Sequence, residues 1–147
     1  MNDKDIVEIL LVEDNSRDAE LTIRALKKHN LANRLFHVED GAEAVDFLFA
    51  RGKYEGRRTD ISPKVVLLDL KLPKVNGLEV LRLMKNDPEL RAIPVVVVTS
   101  SAEDPDIRAA YDLGVNGYVI KPVQFDAFME AMSHLGVYWL IVNHPMK

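Results

Sequence analysis

The chain has 147 residues, 48% hydrophobic and 29% charged, enough for one sizeable core and too few for two comfortable ones. The absence of cysteine removes disulfides, thiol nucleophiles and thiolate metal sites together, as suits a reducing compartment. A formal net charge of -4 weighs against a nucleic-acid surface, and the acidic start MNDKDIVEILLVED, with no basic leader and no apolar run near the roughly 18 residues of a membrane span, points to a cytoplasmic protein.

In chain order, residues 7–12 (VEILLV) form a short apolar run typical of a strand covered on both faces. Ser16 is then a candidate cap for a helix whose Ala19, Thr22, Ile23 and Leu26 share one stripe. Residues 34–38 (RLFHV) alternate and are more polar, as an edge strand would be. Asp40 with Glu43 three residues on opens a second helix, lined by Ala44, Val45, Leu48 and Phe49. Residues 51–63 (RGKYEGRRTDISP) are long and polar for a connection and read as a surface insertion before the third strand. Its basic group, Arg51, Lys53, Arg57 and Arg58, has no accompanying nucleic-acid-binding pattern and reads as a solvated loop.

A third strand, residues 65–70 (VVLLDL), precedes a helix marked by Leu78, Leu81 and Met84 that should stop near Asp87–Pro88. Residues 95–98 (VVVV) and 118–120 (YVI) are the remaining strands, with a helix over 106–113, ended by Gly114, between them. The last helix, over 124–142, carries two apolar faces. Phe125, Phe128, Met129, Met132 and Trp139 suit a sheet, while Ala127, Ala131, Leu135 and Tyr138, continuing toward Ile141 and Val142, form a second face that an outer-layer helix does not need. Strand and helix repeated five times give an α/β fold, one doubly wound five-stranded parallel sheet with helices on both sides.

In such a sheet ligands sit beyond the carboxyl ends of the strands. Asp69 lies at one such end, and Glu13 and Asp14 directly follow another. Like charges and desolvation disfavour three converging carboxylates, so a cation should compensate, and oxygen ligands without His or Cys match Mg2+. Thr99 and Lys121 reach the same rim, and a hydroxyl and an ammonium suit the oxygens of a transferring phosphoryl group. Asp69 then becomes a carboxylate nucleophile toward phosphorus. Singly, each residue has a plainer reading: a turn cap for Asp69, a structural hydroxyl for Thr99, a surface amine for Lys121. Five such residues at one edge make coincidence the weaker account. Pro73 and Gly77 flank a sharp loop, LPKVNG, in which Gly77 supplies an unusual dihedral or room; Lys121–Pro122 is a candidate cis bond that sequence leaves open.

With LLVEDN, LLDLKLPKVNG, VVVTS and YVIKP in that order, the chain resembles the receiver domain of two-component response regulators over essentially its full length. The stretches DGAEAVDFLFARGKY and DPELRAIPVVVVTSS and the aromatic last helix are most similar to the stand-alone regulators paired with cyanobacterial and bacterial phytochromes. The resemblance implies a flavodoxin-like sheet of order 2-1-3-4-5 and a single receiver domain over 1–147. It makes Asp69 the phosphoacceptor, and Glu13, Asp14, Asp69 and the Lys71 carbonyl the Mg2+ ligands. Thr99 is the hydroxyl that moves toward the phosphoryl group, Lys121 its lysine, and Tyr118 the aromatic switch. Glu13 stands where many members have Asp, which leaves open whether it meets the metal directly or through water.

The implied partner is a sensor histidine kinase of phytochrome type. Few residues follow the fifth helix, so output is expected through a partner or a homodimer formed by the fourth helix, fifth strand and fifth helix. The implied protein catalyses its own phosphotransfer and dephosphorylation and is no enzyme toward an external molecule; Ser101 and Lys71 are placed to govern the hydrolytic water. Two alternatives stand beside it: a Mg2+-dependent phosphohydrolase, which would want an acid where Lys71 stands, and a phosphorylation-independent adaptor, which has little use for all five rim residues. Neither glycine-rich nucleotide motif occurs.

Overall fold

The computed structural model describes residues 7–29, 34–58, 62–100, 103–115 and 117–135. Five strands, β1 (Ile9–Val12), β2 (Leu35–Val38), β3 (Val65–Asp69), β4 (Val95–Thr99) and β5 (Gly117–Ile120), form one parallel sheet in the order β2-β1-β3-β4-β5. The helices are α1 (Ser16–Lys27), α2 (Gly41–Leu48), α3 (Gly77–Lys85), α4 (Pro105–Asp112) and α5 (Phe125–Leu135). β1, β3 and β4 are buried throughout, whereas β2, at one edge, is only partly covered except at Val38.

Alternation along the strands sorts the core into two layers. Leu10, Val12, Val66, Leu68, Val95 and Val97 face α2, α3 and α4. Ile9, Leu11, Val65, Leu67, Val96 and Val98 face α1 and α5. Short-range chemistry sets the helix starts. Asn15 caps α1, its side chain accepting from the Asp18 amide at 2.9 Å, so the cap lies one residue before the expected Ser16. Asp40 caps α2 through the Glu43 amide as expected, but Glu43 returns its bond to the amide of Glu39 rather than of Asp40. α3 ends at Lys85, ahead of Asp87–Pro88.

Two packing expectations change. Ala131, assigned by sequence to an outward face of α5, is 7% exposed and belongs to the core, because it lies three residues beyond Phe128 and beside Met132 on the same stripe. Ala127 is exposed as expected, while the Leu135 side chain, Tyr138, Trp139, Ile141 and Val142 lie outside the described residues. The basic segment is also not uniformly solvated. Arg57 donates from Nε to the Phe47 carbonyl at 2.8 Å, and its guanidinium stands 4.2 Å from the Phe47 ring centroid, so it closes the carboxyl end of α2. Tyr54, in a single turn over Gly52–Tyr54, packs edge-on against Phe36 and Phe47 and donates to Glu43 Oε2 at 2.6 Å. The insertion is thus clasped to α2 and β2. Among the described residues no helix is long and apolar enough to cross a membrane.

Candidate functional site

The parallel register brings the carboxyl ends of β1, β3, β4 and β5 to one edge: Val12 lies beside Leu68, Asp69 beside Val98, and Thr99 beside Ile120. Each predicted rim residue arrives there because it ends a strand or lies one or two residues past its end. Glu13, Asp69 and Thr99 are buried at 1%, 5% and 2% exposure, while Asp14 is exposed. Ligand oxygens of Glu13, Asp14 and Asp69 all come within 4.8 Å of one another.

Lys121 is the cation that this cluster has drawn in. Its Nζ donates to Asp69 Oδ2 at 2.8 Å, and meets Glu13 Oε1 and Asp18 Oδ2, each at 3.1 Å. The other Asp69 oxygen, Oδ1, accepts from the Lys71 backbone amide at 3.0 Å. Glu13 Oε2 accepts from the Asn15 amide at 3.2 Å, and the Glu13 carbonyl meets His37 Nε2 at 2.7 Å. Burial and the neighbouring Asp69 charge nevertheless push Glu13 up from 4.5 to about 7, against the pull of Lys121 and the Asn15 amide. Burial works against the charged form of Lys121 too, yet bonds to Asp69 and Glu13 hold it above the ordinary lysine value. The two shifts have different leading causes, burial at Glu13 and the carboxylate partners at Lys121, but both show one ammonium serving several buried carboxylates. Three carboxylates without His or Cys suit a hard divalent cation.

Thr99 Oγ1 donates to Asp104 Oδ2 at 3.2 Å, and Lys71 Nζ approaches the same oxygen at 3.7 Å. Sequence reasoning misses Asp18 and Asp104. Each caps or opens a helix, α1 or α4, and only the placement of those first turns beside Lys121 and Thr99 brings them to the rim; the N-x-x-D of residues 15–18 and the D-P of residues 104–105 are the available signals. Asp14, Asp18, Asp69, Thr99, Asp104 and Lys121 line a cleft of about 210 Å³. Tyr118 stands apart from the carboxylates, half-buried against the core layer of α2, α3 and α4.

The loop between β3 and α3 follows Asp69 directly. Gly77 provides room there: a Cβ would lie 2.3 Å from the Asp69 carbonyl oxygen and 2.5 Å from Leu70 Cα. The unusual dihedral falls instead on Lys74, at φ 69°. The Lys121–Pro122 bond is cis. Ser101 lies outside the described residues.

The response regulator receiver domain model matches residues 9–133. The probable methanogenesis regulatory protein FilR2 of Methanothrix harundinacea (strain 6Ac) is 45% identical over 132 residues, covering 90% of this chain and 83% of the relative. The solved bacteriophytochrome response regulator AtBRR is 54% identical with a TM-score of 0.84, over 91% of this chain and 95% of that one. The Mn2+-bound form of response regulator Rcp1 is 37% identical with a TM-score of 0.72, over 94% and 96%. With the sheet order, the rim acids and these matches together, the chain belongs to the response regulator receiver domains and is a phosphorelay regulator.

Proposed function

We propose that Asp69 accepts a phosphoryl group from the phosphohistidine of a phytochrome-type sensor histidine kinase, and that the resulting change at Thr99 and Tyr118 is read by a partner or a second copy of the chain. The observation that carries this is the Lys121 ammonium 2.8 Å from Asp69 Oδ2 in an under-neutralised acidic cluster. An Asp69 oxygen attacks phosphorus as the phosphorus–nitrogen bond breaks and the imidazole leaves with that electron pair. Lys121, already at the carboxylate, screens the approach of the dianion, and Thr99 supplies a hydroxyl to its oxygens. Glu13, Asp14, Asp69 and the Lys71 carbonyl would hold Mg2+. When bound, the ion neutralises charge on the phosphoryl oxygens. The Mn2+-bound form of Rcp1 supports a divalent ion, and the bacteriophytochrome regulator AtBRR supports the kinase type.

Water later hydrolyses the acyl phosphate, so the protein turns over its own modification and acts on no external molecule. Against a phosphohydrolase, the residue two beyond Asp69 is Lys71, whose ammonium faces Asp104 and offers no carboxyl for acid–base work. For output, α4, β5 and α5 frame a groove of about 640 Å³ lined by Tyr118, Ala127 and Lys121 and by Tyr111 and Ile120, which are 43% exposed each. This is the proposed homodimer face within a single receiver domain.

Intact mass after treatment with Mg2+ and acetyl phosphate should show one added phosphoryl group, absent from Asp69→Asn and from EDTA-treated protein. An undiminished gain in that variant sinks the assignment. Light scattering should give a dimer that Ile120→Glu disperses; a wild type monomeric at tens of micromolar with and without phosphorylation removes the dimer.

A further inference from the structure

Asp104 does three things at once. Its Oδ1 accepts from the Asp106 amide at 2.9 Å and so caps α4. Its Oδ2 accepts from Thr99 Oγ1 at 3.2 Å and faces Lys71 Nζ at 3.7 Å. The side chain is 5% exposed, so water does little to share these tasks. Thr99 ends β4 and Lys71 lies two residues past Asp69, and all four residues border the cleft of about 210 Å³.

From this arrangement we infer that Asp104 is a positioning residue that latches the unphosphorylated state: it holds the Thr99 hydroxyl and the Lys71 ammonium away from the incoming group and ties both to the start of α4. The inference rests on the proposed arrival of a phosphoryl group at Asp69. A phosphoryl group offers stronger acceptor oxygens than one carboxylate and draws Thr99 and Lys71 toward itself. Asp104 then loses two partners while buried, and its own negative charge faces the new dianion. Both effects oppose switching. Because the same side chain caps α4, release of Oδ2 also loosens the link between β4 and the helix that borders the proposed output face. No bond is made or broken covalently in this step; a hydrogen bond and an ion pair change acceptor.

The probe is beryllofluoride, a non-covalent phosphoryl mimic, titrated with Mg2+ at fixed fluoride. Asp104→Ser keeps one oxygen to cap α4 but is uncharged and too short to hold Thr99 as well. It should bind the mimic about three- to tenfold more tightly than wild type, the range set by one hydrogen bond released from competition. The same substitution in a Thr99→Ala background separates a latch from simple relief of repulsion. A latch predicts a smaller gain there, since no hydroxyl is left to release. Equal gains in both backgrounds, or unchanged or weaker binding by a folded Asp104→Ser, overturn the inference. Should Asp104→Ser fail to fold, Asp104→Asn, also a strong cap, is read by the same criteria. Wild type that binds no mimic, or an Asp69→Asn variant that binds it equally, overturns the phosphoacceptor reading instead.

Discussion

Glu13, at the carboxyl edge of the sheet, and Glu43, in the first turn of α2, are two glutamates each within reach of a lysine, and their acidities move in opposite directions. At Glu13 burial and Asp69 raise the carboxyl to about 7, because Lys121 is divided among Glu13, Asp69 and Asp18. At Glu43 burial also pushes upward, but the Tyr54 hydroxyl, the Glu39 amide and Lys53 outweigh it and hold the carboxyl below its usual range. The clasp between insertion and α2 therefore satisfies itself. The rim does not, and its excess negative charge is what a divalent cation and a phosphotransfer reaction can use. Charged residues as such do not separate the two regions; unresolved charge does.

The larger expected effect tests the rim. Glu13 binds a proton in the folded protein up to about pH 7 but releases it near 4.5 when unfolded, so the folded state holds more protons in between. Metal-free protein should therefore lose stability as pH rises from about 4.5 to 7 and level off above, with a slope approaching about 1.4 kcal/mol for each step of one in pH. Lys121, raised above its ordinary value, contributes stability throughout that window and loses it only in more alkaline solution. Asp69→Asn removes the neighbouring charge, and the slope should flatten while phosphoryl uptake vanishes. Urea melts in EDTA across this range, with intact mass after acetyl phosphate treatment, measure the two effects. A wild-type profile that rises from pH 4.5 to 7 would show that Lys121 suffices and that the rim is no more frustrated than the clasp.

The same contrast explains what could be read from sequence. The strands were legible because β1, β3 and β4 are buried on both faces and their apolar runs have no competing periodicity. Glu13, Asp14, Asp69, Thr99 and Lys121 were legible because each ends a strand or lies within two residues of its end, and parallel topology alone collects strand ends. Asp18 and Asp104 sit one helix entry away, so their roles depend on where the first turns of α1 and α4 land, a distance that sequence spacing does not encode. The cap of α1 falls one residue early because Asn15 and Ser16 are both good caps. Arg57 looks solvated in the sequence because its partners are carbonyls of α2, which every sequence possesses.

The smaller effect tests the clasp. Tyr54→Phe keeps the edge-on packing against Phe36 and Phe47 and removes only the hydroxyl that donates to Glu43 Oε2 at 2.6 Å. Glu43 retains Lys53 and the Glu39 amide, and the site is partly open, so the loss near neutral pH should be about 1 kcal/mol. The wild-type carboxyl is depressed below 4.5, so its contribution is present above that value and is lost as pH falls through the folded-state value. Burial and the Glu43 carboxylate hold the Tyr54 hydroxyl above its usual 10, so the bond also stops contributing as pH rises beyond 10, where the unfolded phenol ionises. The stability gap between wild type and Tyr54→Phe should accordingly be widest from about pH 5 to 9 and narrow on both sides. A gap that stays constant down to about pH 3 would trace the loss to packing rather than to the bond. Phosphoryl uptake by Tyr54→Phe should match wild type, because nothing at the clasp is left unneutralised for a ligand to use; a slowed uptake would mean that the two glutamates serve one site.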